Sequence, residues 1–330
     1  AAIPDRKNLN PPIEESSRSR APPSIQSISY LCALMATNDN NNFQAIIAHA
    51  KEYGFVFPSS EIYDGLSAVY DYGPWGSELK KNIRDYWWKS MTQLHENIVG
   101  VDAAIFMHPT TWKASGHVDN FSDPMIDNKD SKKRYRVDHL IEAHAEELPD
   151  KEAEALLSTM DQLLAKDDYT GLKNLIDEYK IKCAISGTSN WTEIRQFNLM
   201  FKTEFGATAS GDNEDNIVYL RPETAQGIFV NFLNVQKTAR MKVPFGIAQT
   251  GKAFRNEIVA RQYIFRMREF EQMEMQFFVP PGTELDWFAK WKEIRLNWHK
   301  ALGLGDDNYR YHDHEKLAHY ANAATDIEFK

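Results

Sequence analysis

Cysteine is nearly absent from this chain: 330 residues hold two, Cys32 and Cys183. That excludes a disulfide framework and a cysteine metal cluster, and it suits a reduced, cytoplasmic protein. Long apolar runs are also missing, so no membrane span is expected. There is no excess of positive charge either. Lys and Arg number 38 against 47 Asp and Glu, a net charge of −9. Binding of nucleic acid through bulk charge is excluded, and any such contact must use a local basic patch. What is present suffices for a core: 42% of residues are hydrophobic, and the length allows about two or three domains.

Residues 1–34 differ from the rest. "NLNPPIEESSRSRAPPS" is rich in Pro, Ser and charge and is expected to be disordered. "IQSISYLCALMA" follows Arg18 and Arg20, the outline of a weak signal or transit peptide. Serines break that run, however, and Asp5, Glu14 and Glu15 precede it. A disordered extension, or sequence upstream of a start at Met35, fits better.

Further along, Phe43 to Lys51 has helical spacing and Asn caps before it. "EYGFVFPSS" reads as extended. "YDYGPWGSELKKNIRDYWWKSM" starts on a Gly-Pro turn and becomes a helix with Leu79, Ile83, Tyr86 and Trp87 on one side. "DAAIFMHPTTW" reads as a short buried strand and a loop. Residues 151–180 read as a helical hairpin: Leu156, Met160, Leu163 and Leu164 repeat at helical spacing, as do Leu172, Leu175, Ile176 and Tyr179, with Asp167, Asp168 and Gly171 at the break. Trp287, Trp291, Ile294 and Trp298 form one face of a later helix, at the spacing of core residues. His312, His314 and His319 invite a zinc reading, but no cysteine or obvious fourth ligand is near and the segment reads helical. No metal site is assigned.

One stretch poses a chemical question. "FRNEIVARQYIFRMREFEQMEMQFF", Phe254 to Phe278, threads arginines 255, 261, 266 and 268 and glutamates 257, 269, 271 and 274 through aromatics and methionines. At period two, Arg266, Arg268, Phe270, Gln272, Glu274 and Gln276 share one parity. Met267, Met273, Met275 and Phe277 share the other, broken by Glu269 and Glu271. Alternate residues of a strand face opposite ways, so one face packs on a core and the other presents guanidinium groups, a ring and a carboxylate. Arg255 and Glu257 share a face in the same way. The stretch predicts two antiparallel strands lining one site, and its composition suits a nucleotide: arginine forks for phosphate, a Phe face for a base. The other reading is a solvated edge strand with charges that keep it soluble. The Met and Phe on the opposite face, and Phe270 itself, weigh against it.

"FRNE", a loop, and Arg266-x-x-x-Phe270-x-x-x-Glu274 resemble motif 2 of the class II aminoacyl-tRNA synthetases. "YLRPETAQGIFVNF", "GIAQTGKAFRNE", "RMREFEQMEMQFF", "GFVFPSSEIYDGLSAVYDYGPWGSELKKNI", "ASGHVDNFSDPMIDNKDSKKRYR" and "RQFNLMFKTEFG" are similar to the homodimeric type of glycyl-tRNA synthetase. The resemblance covers residues 43–142 and 191–330. It implies an α+β fold, an antiparallel sheet flanked by helices with a helical insertion, and a ligase that makes glycyl-adenylate from glycine and ATP, with Mg²⁺ carried on the ATP phosphates, and then charges tRNA(Gly). It implies that Arg255 holds the α-phosphate and the glycine carboxylate, that Glu257 accepts from the adenine amino group, that Phe270 stacks on adenine, and that Arg266 and Arg268 sit near the triphosphate tail. Asn256 and Phe265 complete the ATP site. Glu223 of "RPETAQ" and Glu274 would grip the glycine ammonium, with Arg136 and Phe270 also at the glycine. Pro74 would lie in the first motif, at the interface of a homodimer. The basic run Lys132, Lys133, Arg134 and Arg136 is either a surface run or a phosphate contact for tRNA.

The organisation implied is an extension at 1–34, a first catalytic part with motif 1 at 35–142, a helical insertion at 143–190, a core with motif 2 at 191–280, and a further helical insertion at 281–330. Motif 3 and an anticodon-binding domain are not found, so the sequence reads as the N-terminal part of a longer synthetase. "GLGDDNYR" (Gly303–Arg310) mimics the glycine spacing of motif 3, but Gly303 and Gly305 read as helix-ending residues. The alternative function is a catalytically silent synthetase-like protein that binds or regulates.

Overall fold

A computed structural model describes residues 39–205, 216–257, 263–314, 317–318 and 320–330. The expectations for residues 1–34, Arg261 and His319 lie outside the described residues. The chain divides into two units, one holding Ile47–Thr283 and the other Glu284–Lys330 together with the residues up to Ile46.

Helix α1 (Asp39–Glu52) covers the expected Phe43–Lys51 segment. Strands β1 (Val56–Pro58) and β2 (Tyr70–Tyr72) pair antiparallel. Helix α2 (Pro74–Thr92) starts with Pro74 at its first position, where the missing N–H costs nothing, and Gly73 as N-cap. Its Trp87 is buried, but Tyr86 is 41% exposed and does not join that face. Gly76 is required by close approach: a Cβ there would stand 1.8 Å from the Phe55 carbonyl oxygen. The first turn of α2 therefore lies directly on the backbone that enters β1.

Strand β3 (Ile98–Gly100) follows. Residues 101–108 are irregular rather than the expected buried strand, with a single bridge from Phe106 to Leu220. Phe106 is 45% exposed, so nothing packs both faces of this segment as a buried strand requires. The short helices α3 (Pro109–Ala114) and α4 (His117–Asn120) come next.

A second sheet is built from β4 (Ser122–Asp127), β5 (Arg134–Arg136) and β6 (Arg195–Asn198), in the order β5-β4-β6, with both pairings antiparallel. Between β5 and β6 run α5 (Val137–Ala145), α6 (Asp150–Leu164) and α7 (Tyr169–Glu178). The α6–α7 hairpin is the one its periodicity predicts: Leu156, Met160, Leu172, Leu175 and Ile176 are buried in one core. Asp168 caps α7 by accepting from the Gly171 amide at 2.8 Å. The same core includes Ile126 of β4 and Trp191, so it reaches past the 143–190 limits on both sides.

Strand β7 (Lys202–Glu204) pairs with β8 (Ile217–Tyr219). Helix α8 (Ala225–Thr238) then leads to the long pair β9 (Phe245–Phe254) and β10 (Glu269–Phe278), antiparallel over ten residues each. Strand β3 joins the far edge of β9 in parallel, Ile98 opposite Gly246. The expected antiparallel sheet thus gains one parallel strand. Ile228, Phe245 and Ile247 form the core beneath it, with Phe232 and Phe278 against them.

The smaller unit holds α9 (Glu284–Lys300) and a hairpin of β11 (Tyr309–Asp313) and β12 (Thr325–Phe329). Trp298 is buried on α9. The helical reading of 281–330 holds only as far as α9. Tyr309, Tyr311, Thr325, Ile327 and Phe329 alternate at period two in β-branched and aromatic types, and that alternation makes strands. Gly303 and Gly305, both at positive φ, follow the end of α9. His312 and His314 sit on β11 and at its end, facing Glu328 and Asp326 at 2.7 and 3.0 Å. Among the described residues no helix is long and apolar enough to cross a membrane.

Candidate functional site

Directly opposed residues of an antiparallel pair point to the same side. Phe270 stands opposite Ala253, Gln272 opposite Gly251, and Glu274 opposite Gln249. Phe270, Gln272, Glu274 and Gln276 therefore share one face. The other face carries Met273, Met275 and Phe277 together with the two glutamates that break its apolar pattern, and both glutamates have partners. Glu271 meets Lys80 at 2.9 Å and Arg84 at 3.3 Å, both from α2. Glu269 pairs with Lys252. Burial pushes the Glu271 carboxyl up, but Lys80 and Arg84 outweigh it and hold the group below the usual carboxylate range.

Arg255 and Glu257 fall beyond β9, not within it. The sheet extends one step further through the Arg255 amide, which donates to the Arg268 carbonyl at 2.9 Å. The Arg255 guanidinium donates from Nε to the Pro222 carbonyl at 3.1 Å. It lies over two rings, 5.3 Å from the Phe270 centroid and 5.6 Å from that of Phe121. Arg255 and Phe270 are thus on one face, as the alternation predicts. Asn256 and Glu257 are half-buried, and the Asn256 amide donates to the Leu199 carbonyl at 2.7 Å.

The segment from Arg221 to Thr224 brings the carboxylates together. Arg221 is buried and donates to the Lys252 and Ala103 carbonyls, both at 2.7 Å. Thr224 is bound at its amide by the Gln272 side-chain oxygen at 2.9 Å, and its hydroxyl donates to Glu274. The second oxygen of Glu274 accepts from Gln276 at 2.7 Å. Glu223, one residue from Thr224, faces His117 Nε2 at 3.4 Å. The His117 bond holds the Glu223 carboxyl below the usual range; burial opposes this, while Gln226 and the nearby Arg255 assist. Arg255, Phe270, Glu223 and Glu274 form one group.

The other expected residues are placed differently. Strand β10 begins at Glu269, because Tyr263–Phe265 forms a 3₁₀ turn with Tyr263 at φ 56°. The period-two row therefore does not extend back to Arg266 and Arg268. The Arg268 side chain donates to the Glu257 and Ser67 carbonyls at 3.0 and 3.3 Å. Arg266 is exposed, and Phe265 is 69% exposed. Arg136 is paired with Asp138, and with Asp123 at 3.4 Å. Together with Arg266, Tyr135 and Tyr179 it lines a cavity of about 820 Å³ beside α5. Pro74 is exposed at the head of α2.

Sequence reasoning missed His117, Phe121, Thr224 and Gln249 at this site. Gln272 and Gln276 carried a signal, since they share the parity of Phe270 and Glu274. His117, Phe121 and Thr224 lie in or beside short or terminal turns and carried none. Chemically, the group offers a cation braced on rings, suited to a phosphoryl oxygen or carboxylate, beside two carboxylates suited to an ammonium. Among the described residues no three His, Cys, Asp or Glu side chains cluster as metal ligands.

Two family models match the chain. Residues 201–329 match the tRNA synthetase class II core domain (G, H, P, S and T). Residues 123–155 and 149–199 match glycyl-tRNA synthetase insertion domain 1. A glycine–tRNA ligase of Chlorobaculum tepidum is 57% identical over 291 residues, 86% of this chain and 61% of that protein. Those of Macrococcus caseolyticus and Geobacillus kaustophilus are 54% and 55% identical, over 88% and 87% of this chain and 60% of each relative. The chain thus spans about three-fifths of the length of the curated relatives it matches. Among solved structures, the RNA binding domain of threonyl-tRNA synthetase from Cryptosporidium parvum Iowa II aligns with 80% of this chain and 43% of its own, at 15% identity and a TM-score of 0.45.

Proposed function

The chain belongs to the glycine–tRNA ligase family of class II synthetases, and on that premise we propose that it activates glycine with ATP to glycyl-adenylate and passes the glycyl group to the 3′ end of tRNA(Gly). The observation that supports this most is the placing of the Arg255 guanidinium over Phe270, within the same group as Glu223 and Glu274. Attack of a carboxylate on phosphorus builds negative charge, and a cation already braced in place stabilises it without reorganising. Arg255 serves that role, bridging the α-phosphate and the glycine carboxylate. The ring of Phe270 takes adenine, Asn256, Glu257 and Phe265 border the nucleotide, and Arg266 follows the triphosphate. Mg²⁺ travels with the ATP phosphates, held by few protein groups. Glu223 and Glu274 take the ammonium. Glycine offers no side chain, so affinity rests on that ammonium, and selectivity on leaving no room at the α-carbon. Arg136 reaches glycine only by leaving Asp138. The working form is a cytoplasmic homodimer joined across the β2–α2 unit at Pro74.

ATP–pyrophosphate exchange tests the reading. Glycine-dependent exchange is expected, and Arg255→Ala should lower it on the order of 100–1,000-fold while the thermal midpoint stays close to that of the parent. Exchange indifferent to glycine would overturn the function; near-normal exchange in the variant would overturn the role of Arg255.

A further inference from the structure

His117 is held more firmly than a surface histidine has reason to be. It follows Gly116, whose φ of 77° turns the chain sharply out of α3. Its ring packs edge-on to Trp112, with centroids 5.5 Å apart, and at a tilt on Phe121, 5.3 Å away. Trp112 is fully buried. Nδ1 lies 2.8 Å from the Ser115 hydroxyl. With the ring packed against Trp112 and Phe121 and Nδ1 beside Ser115, Nε2 lies 3.4 Å from Glu223 Oε1. An ionised carboxylate can only accept, so Nε2 carries the proton. Phe121 also lies beneath the Arg255 guanidinium. One ring therefore sets both the histidine that orders Glu223 and the arginine assigned to the α-phosphate.

We propose that His117 is a positioning residue for amino-acid binding: its Nε2–H fixes the Glu223 carboxylate in the orientation and ionised state that receives the substrate ammonium. The proposal rests on the reading of Glu223 given above, so it needs one measurement that does not depend on glycine. A fixed, charged acceptor loses none of its binding energy to reorientation when the ammonium arrives. A Glu223 left without its donor would be free to turn toward Gln226 or Arg255.

The variants are His117→Phe, which keeps the ring and removes the donor, and His117→Gln, which restores an N–H. In glycine-dependent exchange, H117F should raise KM for glycine about 10-fold or more, with KM for ATP within about twofold, and H117Q should recover most of the loss. Independently, carbon NMR titration of the Glu223 side chain should show its pKa rising in H117F toward the usual glutamate value. Ser115→Ala, which leaves the imidazole but loosens its orientation, should raise the glycine KM by a smaller factor and serves if H117F does not fold. An unchanged Glu223 titration in H117F overturns the proposal whatever the protein's activity. Equal rises in both KM values, an unchanged glycine KM, or no rescue by H117Q overturn it as well. A shifted titration in a protein that shows no glycine dependence would leave the contact standing and reject the function.

Discussion

Arg268 and Arg266 are two residues apart and are held in very different ways. Arg268 spends its guanidinium on the Glu257 and Ser67 carbonyls and its amide on Ala68, so it ties three stretches of chain together. Arg266 is exposed. Arg268→Ala should therefore cost about 2–3 kcal/mol of stability, as expected when a charged group's hydrogen bonds are removed. Arg266→Ala should stay within about 0.5 kcal/mol and act on ATP affinity. Urea unfolding separates the two, and a stable Arg268→Ala protein would contradict the clamp. Period two could not distinguish these arginines, because it assumes that the strand already runs through them, whereas it starts at Glu269. Arg255, Phe270 and Glu274 were legible because each lies in or next to a ladder whose faces the alternation fixes. His117 was not: a lone histidine opening a four-residue helix belongs to no period.

Helix α2 and strand β10 are joined through one carboxylate, Glu271, which lies between Lys80 and Arg84 on the strand face it shares with Met273, Met275 and Phe277. Its folded pKa is depressed, so the stability it contributes is present above the unfolded value, near 4.3 for glutamate, and is lost as pH falls through the folded value. Glu271→Gln should lower the thermal midpoint at pH 7 and leave it closer to the parent's at about pH 3. Melting curves across that window check it, and a deficit that stayed constant with pH would rule out the charge pair as its source. At this scale the sequence was informative where elements are periodic and long. Helices α2, α6 and α7 follow from spacing alone, with Gly73-Pro74 and Asp168 marking starts. It was least informative where the partner is remote: β3 pairs with β9 across nearly half the chain, and a three-residue parallel strand has no local signature. The β11–β12 hairpin was hidden by histidines and charges that do read as polar helix until the strand partner is known.

The net charge of −9 shapes how the molecule as a whole would meet a polyanion. Long-range attraction is absent, so the tRNA contact proposed above would have to come from a few local groups, of which Lys132 and Lys133 beside β5 are the candidates in the basic run less occupied by carboxylates; Arg134 and Arg136 already pair with Asp127 and Asp138. Replacing both lysines by alanine should reduce the slope of log affinity against log salt by about 0.7–0.9 for each phosphate left without its cation. Filter binding from low to moderate salt measures it, and an unchanged slope would place the phosphate-binding groups elsewhere. The core of the helical insertion gathers residues from before and after it, Ile126 of β4 and Trp191 among them. That core has a further consequence. Strands β5 and β6 lie on opposite sides of β4, and at Met125 the outgoing residue Arg136 and the returning residue Arg195 face the same position from its two edges. Everything between them is a closed excursion, anchored at both ends to a single strand. Lengthening such an excursion adds only about 0.6 kcal/mol of closure entropy per doubling and moves neither anchor, so helices can be added to or removed from it while the β9–β10 pair stays where it is.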